Sequence, residues 1–510
     1  MSVLAAIILT GLAISDPVPG AYLEVNFAQG EAAGSGSATE VVLIGNKLST
    51  GSAVVDTEVY GPDTLVQLQT EADAISLFGA GSELHRMFRR FTRINKDTTL
   101  RAIAVTESAG AAATATCVIS TAATGNGNIR VYAYDEFVDV AIASGDAVDT
   151  IGAAVVSAVN QMTHWGFTAS YDTGTDTVTF TAKQKGPRGN QIRIQLAITS
   201  GIGTSLSALT TDTAFSGGTT EDSYTTALGT LATAKYYYQV SASSESTKLG
   251  ALVTQINTLA APTTGNRQRV IAGSVETLAN ATTLATGRNA ARCEIVWSEK
   301  SPLPESEIAA HQAAIVTLFE VRPNPRTNWC NFGQDAQTSA YWQLPASRVK
   351  SAWPSRTSIK SALNNGLSPV GVNTNGSTYL VNRITTRSLN GSVNDYRIRA
   401  AHKVSLCDFF GEDLVAKTVL QFSGKRIADD PVQGQRPPGP QVVTPTIYKG
   451  AIFTLLTEYD GNDLIDNLAA VKAGTIVQRE TSPRTRISAR IPFRPIDNAE
   501  QFAIALDQVA

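Results

Sequence analysis

Between Lys235 and Phe319, short apolar runs take turns with segments whose apolar residues recur every three or four positions. "KYYYQVSA" reads as a strand, and Leu249, Leu252, Ile256 and Leu259 mark one face of the helix after it. "QRVIAGS" and "RCEIVWSE" read as further strands, with a helix over "VETLANATTLATGRNA" between them. A proline-started helix follows, with Ile308, Ile315 and Phe319 one or two turns apart. The same texture occurs upstream. "EVVLIGNKL" (Glu40 to Leu48) reads as a buried strand ending in a turn, and "TTLRAIAVTE" (Thr98 to Glu107) as another. Between them, "EADAISLFGAGSELHRMFRRFTRI" predicts two helical segments split at Gly79 and Gly81, with Leu84, Phe88 and Phe91 at helical spacing. Strand and helix alternating in this way predict a parallel sheet with covering helices.

From Ala109 to about Gly218 the pattern shifts to period two, and Thr, Ala and Gly rise. "IRVYAYDEFVDVAI" and "DTGTDTVTFTAK" predict hairpins, "VDTIGAAVVSAVNQM" an Ala-rich helix, and "GNQIRIQLAI" a strand with Ile192, Ile194 and Leu196 alternating. Because the earlier pattern resumes afterwards, this β-rich unit reads as an insertion. The expected class is α/β plus β-rich: a discontinuous α/β core (36–108 and 222–325), an inserted β-rich outer domain (109–221) and a C-terminal α+β domain (326–510).

The last region predicts loops at "RPNPRTNW", a strand pair around "STYLVNRITTRSLNGSVNDYRIRAA", a proline-rich loop, and a helix over "TPTIYKGAIFTLLTEYDG". A strand follows at "RTRISARIPF", then a final helix announced by a capping box from Asp497 to Glu500. In that strand Thr485, Ile487, Ala489, Ile491 and Phe493 are expected on one face, and Arg484, Arg486, Ser488 and Arg490 on the other. Its basic face is either solvated or an intersubunit face. At the other end, residues 1–35 read as an extended arm and hinge. "DPVPGAYLEVN" (Asp16 to Asn26) follows an apolar opening, Val3 to Ile14, and precedes the Gly/Ser-rich "EAAGSGSA". Such an arm either packs on its own domain or adds a strand to the open sheet edge of a neighbour.

At 510 residues the chain is too long for one core, and about two to four domains are expected. Lys+Arg 41 against Asp+Glu 44 gives no reason to expect a nucleic-acid partner. Cys117, Cys293, Cys330 and Cys407 are far apart and fit isolated buried thiols in a reducing compartment. The apolar opening is too short to span a bilayer and has no preceding Lys or Arg, so a soluble, cytoplasmically made protein without membrane insertion is expected.

Chemistry is sparse. "GAGSE" lacks the third glycine of a dinucleotide fingerprint, and no GxxxxGK[ST] is present. His85, His164, His311 and His402 lie out of helical reach of one another, so no metal set is suggested. His85 and His311 are expected on helices as packed or partly exposed residues. The pairs Asp429–Asp430 and Glu412–Asp413 are expected as solvated charge in loops. No catalytic residue, cofactor or metal ligand is assigned, and an enzyme is not expected.

The segments "DPVPGAYLEVN", "VVLIGNKL", "FGAGSELHRMFR", "LRAIAV", "NRITTRSLNGSVNDYRIRAA" and "VQRETSPRTRISARIPF" occur in the order seen in contractile tail sheath proteins of myophages, and the chain most resembles the Mu-like branch. The likeness covers most of the chain, with 109–218 the most variable part. It implies a structural subunit that stacks as hexameric rings, in a helical array with copies of itself, around a tail tube. Baseplate and tail terminator proteins would be further partners, and the place of action would be the virion tail, assembled in the host cytoplasm. Contraction would drive the tube through the host envelope during genome delivery. The resemblance assigns Tyr22, Leu23, Glu24 and Val25 to the intersubunit arm, and Ile487, Ala489 and Ile491 to a mesh strand that such arms complete. Arg484, Arg486 and Arg490 become candidates for a tube-facing or intersubunit basic face. The sheath of a phage-derived bacteriocin or injection device shares these parts, and an α/β ligand-binding protein or enzyme is a further alternative.

Overall fold

The computed structural model describes residues 40–57, 68–198, 201–320, 339–391, 393–395, 399–432, 434 and 436–496. The arm residues Tyr22 to Val25, the apolar opening, Cys330 and the expected terminal helix lie outside them. The fold is mixed α/β with several sheets.

Its centre is a seven-stranded sheet. Val41–Asn46 pairs in parallel with Leu100–Val105 on one side and Tyr238–Ser241 on the other. Arg269–Ser274, Cys293–Trp297 and Ser368–Val372 extend it in parallel, and Thr378–Leu380 closes the edge antiparallel. Every residue of Val41–Asn46 and of Arg269–Ser274 is buried, as a parallel strand covered on both faces requires. The period of two divides the strand between two apolar layers. Val41 and Leu43 join Phe88, Phe91 and Ile308 beneath the helices Glu83–Thr92 and Glu305–Phe319. Val42 and Ile44 join Leu249, Leu252 and Ala281 beneath Ser246–Leu259 and Leu278–Arg288.

The sheet draws its last two strands from beyond residue 325, where only C-terminal elements were expected. "SPVGV" carries a proline and a glycine, both poor strand formers, yet four of its five residues are buried at the end of the ladder.

Residues 112–214 build a three-stranded and a four-stranded antiparallel sheet, with the helix Val148–Gln161. Trp165, Phe167, Phe180 and Phe215 are buried in the same apolar cluster as the helix Glu83–Thr92. That helix begins at Ser82, whose Oγ accepts from the His85 amide at 3.1 Å. The break before it is real: Gly79 and Gly81 have φ of 85° and 81°, the left-handed region glycine enters without strain.

After the sheet come the helices Ala401–Phe422, Pro445–Asp460 and Leu468–Gly474, then an antiparallel hairpin of Ile476–Arg479 with Ile487–Arg490. Among the described residues no helix is long and apolar enough to cross a membrane.

Candidate intersubunit surface

Three helices and the hairpin share an apolar cluster of their own: Leu406, Phe409, Phe410, Ile452, Leu456, Val471 and Phe493 are among its members. The Phe410 ring lies 4.7 Å from Phe493 and 4.8 Å, edge to face, from Tyr459. Val477, Ala489 and Ile491 pack on this cluster and seat the hairpin. The face assignment made from sequence holds for Ala489, Ile491 and Phe493, which pack inward, and for Arg484 and Arg490, which are exposed, and fails for Thr485 and Ser488. The strand spans only Ile487–Arg490, so Ile491 lies just past it. Thr485 is exposed before the strand begins, whereas Ser488 is buried. The alternation is overridden because the ladder is short and the chain turns in again at Phe493.

Nor do the arginines form a free basic stripe. Arg484 and Arg479 both pair with Asp429, Arg479 at 3.1 Å. Arg486 Nε donates to Ser488 Oγ at 3.1 Å, and Arg490 is exposed. Asp429 is therefore a pairing residue. Asp430 Oδ1 accepts from the Thr446 amide at 3.0 Å in the first turn of its helix. The pair Glu412–Asp413, expected in a loop, lies within the helix Ala401–Phe422, where Asp413 meets Lys417 one turn on at 3.0 Å.

Two features make this region a candidate for assembly. The hairpin is a sheet of two strands, so among the described residues each strand has one partner and one unpaired edge. A two-stranded ribbon is marginal alone, and an open edge is a template for another chain. In addition, Val419, Leu420 and Ile447 are exposed apolar side chains near the junction of the two long helices, where Phe422 and Tyr448 stack edge to face at 5.5 Å.

The joint between this unit and the central sheet is polar. Arg292 Nη1 and Nη2 donate to the two carboxylate oxygens of Asp408 at 2.6 Å each, and Tyr237 Oη donates to the same group at 3.2 Å. Arg269 Nη1 donates to Ser405 Oγ at 2.6 Å, which donates on to Glu320 at 3.0 Å. Arg383, from the "NRITTR" segment, binds Glu320 and, at 2.9 Å, Glu294. All these groups are buried. Burial alone would raise the Glu320 carboxyl, but Arg383 and Arg269 hold it below its ordinary range. The "NRITTR" segment is thus a buried fastening.

His85 Nδ1 accepts from the Gly81 amide at 2.9 Å, and burial lowers its pKa to about 4. His164 bonds Glu136 at 2.5 Å and, as the largest cause, lowers that carboxyl to about 2. His85 and His311 are fully buried on helices, the packed one of the two alternatives expected from sequence. Cys117, Cys293 and Cys407 are buried free thiols. Among the described residues no group of three or more potential ligands is placed to hold a metal.

No family model matches the chain. The Mu-like prophage FluMu tail sheath protein of Haemophilus influenzae is 23% identical over 477 residues, covering 92% of this chain and 93% of that protein. The sheath tail protein of Desulfitobacterium hafniense is 12% identical, covers 93% of this chain and 100% of its own, and superposes with a TM-score of 0.44. The anti-feeding prophage helical sheath in its contracted state is 10% identical, with 97% and 100% covered and a TM-score of 0.45. These two structural likenesses are too distant to carry an argument. The resemblance to the contractile tail sheath proteins of Mu-like phages is borne out by the first relative.

Proposed function

From that resemblance we propose that this chain is a structural subunit of a contractile tail sheath, not an enzyme. The observation that carries it is the match to a tail sheath protein across nine-tenths of both chains. In this reading the subunits assemble as stacked hexameric rings around a tail tube, between a baseplate and a terminator, and act in the virion tail.

The two open edges of the hairpin support the finer part of the proposal. The N-terminal arm, Tyr22 to Val25, adds a strand to the hairpin of a neighbouring copy. Backbone pairing of this kind tolerates large rigid-body movement, because the Gly/Ser-rich hinge after the arm absorbs the rotation. The α/β core and the β-rich insertion face outward, and the C-terminal unit faces the tube.

Negative-stain electron microscopy of the purified chain and of a twin lacking residues 1–30 tests this. Hollow striated tubes from the full chain, lost in the twin, are expected. Monomers from both at high concentration, even when tube protein is added, overturn the sheath reading. Tubes from both retain the sheath and remove the arm as linker.

A further inference from the structure

The central sheet runs in the order Leu100–Val105, Val41–Asn46, Tyr238–Ser241, Arg269–Ser274, Cys293–Trp297, so the strand order reverses beside Val41–Asn46. Ligands of such sheets bind in the crevice outside the carboxyl ends of the strands, at that reversal. Here Arg188 of the insertion occupies the reversal. It donates to Asn46, the last residue of its strand, to Glu83 at 2.8 Å and to Asp222 at 2.7 Å. One strand further along, the crevice is open and forms a cavity of about 510 Å³. Small-molecule pockets span about 300–1,000 Å³ and concentrate where two units of a chain meet. This one has Asn190 and Gln191 of the insertion on one side and Ser244, Glu245 and Ser274 of the core on the other.

Ser274 brings a polar group with nothing to bind. It is fully buried, and its Oγ has no hydrogen-bond partner among the described residues. The alternation of its strand fixes where that hydroxyl points. Val270 and Ala272 face the apolar layer that holds Ala281, while Ile271 faces the other layer. Ser274 therefore turns toward the helix Leu278–Arg288, whose Ala281 and Leu284 line the cavity with it. A buried hydroxyl left unpaired is costly, and native structures rarely keep one without a use.

An anion finds its positive groups taken. Arg188 is spent at the reversal, Arg193 pairs with Asp212, and Lys248 pairs with Glu221. The first amides of the helix Ser246–Leu259 are capped by the Glu245 carboxylate, which accepts from Thr247 at 2.9 Å and Lys248 at 3.1 Å. Lys300 and Glu276, both exposed, bring one charge of each sign. Glu305 accepts from Ser244, and burial raises its carboxyl to about 7, so at neutral pH it both accepts and donates. What meets a ligand is hydroxyl, carboxyl and carboxamide chemistry beside an apolar wall of Ala281 and Leu284. Hydroxyls of a ligand replace water at such groups bond for bond, and its C–H face packs on the wall.

We infer that this cavity binds a neutral polyhydroxylated ligand, a mono- or disaccharide, with Ser274 Oγ bonding one of its hydroxyls. A sugar held there touches both insertion and core and ties the one to the other.

Saturation-transfer NMR of the full chain with glucose, galactose, N-acetylglucosamine, maltose and lactose tests the site. At least one of these sugars should receive saturation from the protein and raise its thermal midpoint by about 1–3 °C. Ser274→Ala removes only a hydroxyl that no other described group uses. The variant should fold with an unchanged or higher midpoint and lose most of the transfer. Asn280→Trp, at an exposed lining position, should block the cavity and abolish both signals. General stabilisation by sugars excluded from the protein surface acts on all three proteins alike and cancels in the comparison. No transfer to any sugar, transfer that either variant retains in full, or protection by inorganic phosphate or spermidine in place of the sugars overturns the inference. So does a Ser274→Ala midpoint well below that of the wild type, which means that the fold itself uses the hydroxyl.

Discussion

Asp408, on the helix Ala401–Phe422, grips Arg292 at the foot of the strand Cys293–Trp297 through two parallel hydrogen bonds of 2.6 Å, with both side chains buried. The apolar clusters on either side do not merge across this joint, apart from the small contact of Ala291 with Val404. Removing one partner therefore strands a buried charge. Asp408→Asn is expected to lower stability by about 3–5 kcal/mol in denaturant unfolding. Replacing both, Asp408→Leu with Arg292→Met, should recover part of that loss. A cost below about 1 kcal/mol for Asp408→Asn would show that the pair does not hold the joint.

Phe493 anchors the hairpin from its far end. Phe493→Ala removes the ring that packs on Phe410, and should cost about 3–5 kcal/mol within the C-terminal unit. Hydrogen exchange should report faster exchange over 476–490. The strands 41–46 and 269–274 should stay protected, because Phe493 belongs to a separate apolar cluster. Uniform loss of protection would contradict that separation.

Glu305 opens its helix fully buried, accepting from the Ser244 amide at 3.1 Å and from Ser244 Oγ, and burial raises its carboxyl from 4.5 to about 7. A raised folded value for an acid means stability that is fully present below pH 4.5 and lost as pH rises toward 7. The difference in stability between wild type and Glu305→Gln should therefore change by roughly 3 kcal/mol across that window, with Gln the pH-independent partner. Parallel profiles for the two proteins would remove Glu305 as the source.

Glu480 N donates to Arg486 O at 2.9 Å just beyond the ladder, and antiparallel bonding alternates from there. Counting along the register, the Ala489 amide points away from Val477 toward the open edge. Ala489→Pro deletes that donor while leaving the bonded pair Gln478–Ser488 intact. Light scattering should show a folded chain that no longer forms tubes. Normal tubes would mean that this edge is unused.

Much of the fold is legible because each strand of the parallel sheet buries both faces. "VVLIG" and "RVIAG" can be little else, and the helices after them keep an apolar stripe. The helix Ala401–Phe422 is harder to see. Ser405 and Asp408 are buried on its inner side, so its polar and apolar residues do not separate into stripes. The strand Ser368–Val372 is written against propensity and exists because the sheet edge accepts it. Arg383, Thr385 and Thr386 stand out as a motif, yet only their burial shows that they fasten elements together. The strand Ile487–Arg490 was legible in position and composition, whereas its partner Ile476–Arg479 was not read as a strand. The faces of the former were legible only in part: Ala489, Ile491 and Phe493 pack inward as the alternation predicts, whereas Ser488 is buried out of phase with them.

In the proposed assembly a strand passes from one copy to the hairpin of another. Copies carrying a cysteine at each of Tyr22 to Val25 in turn, mixed with differently tagged Ala489→Cys copies, should give covalent dimers of the two tags when assembled tubes are oxidised. A disulfide requires Cα atoms within about 7 Å, so only direct pairing satisfies it. Tubes that form normally and yield no mixed dimer at any arm position would contradict the exchange.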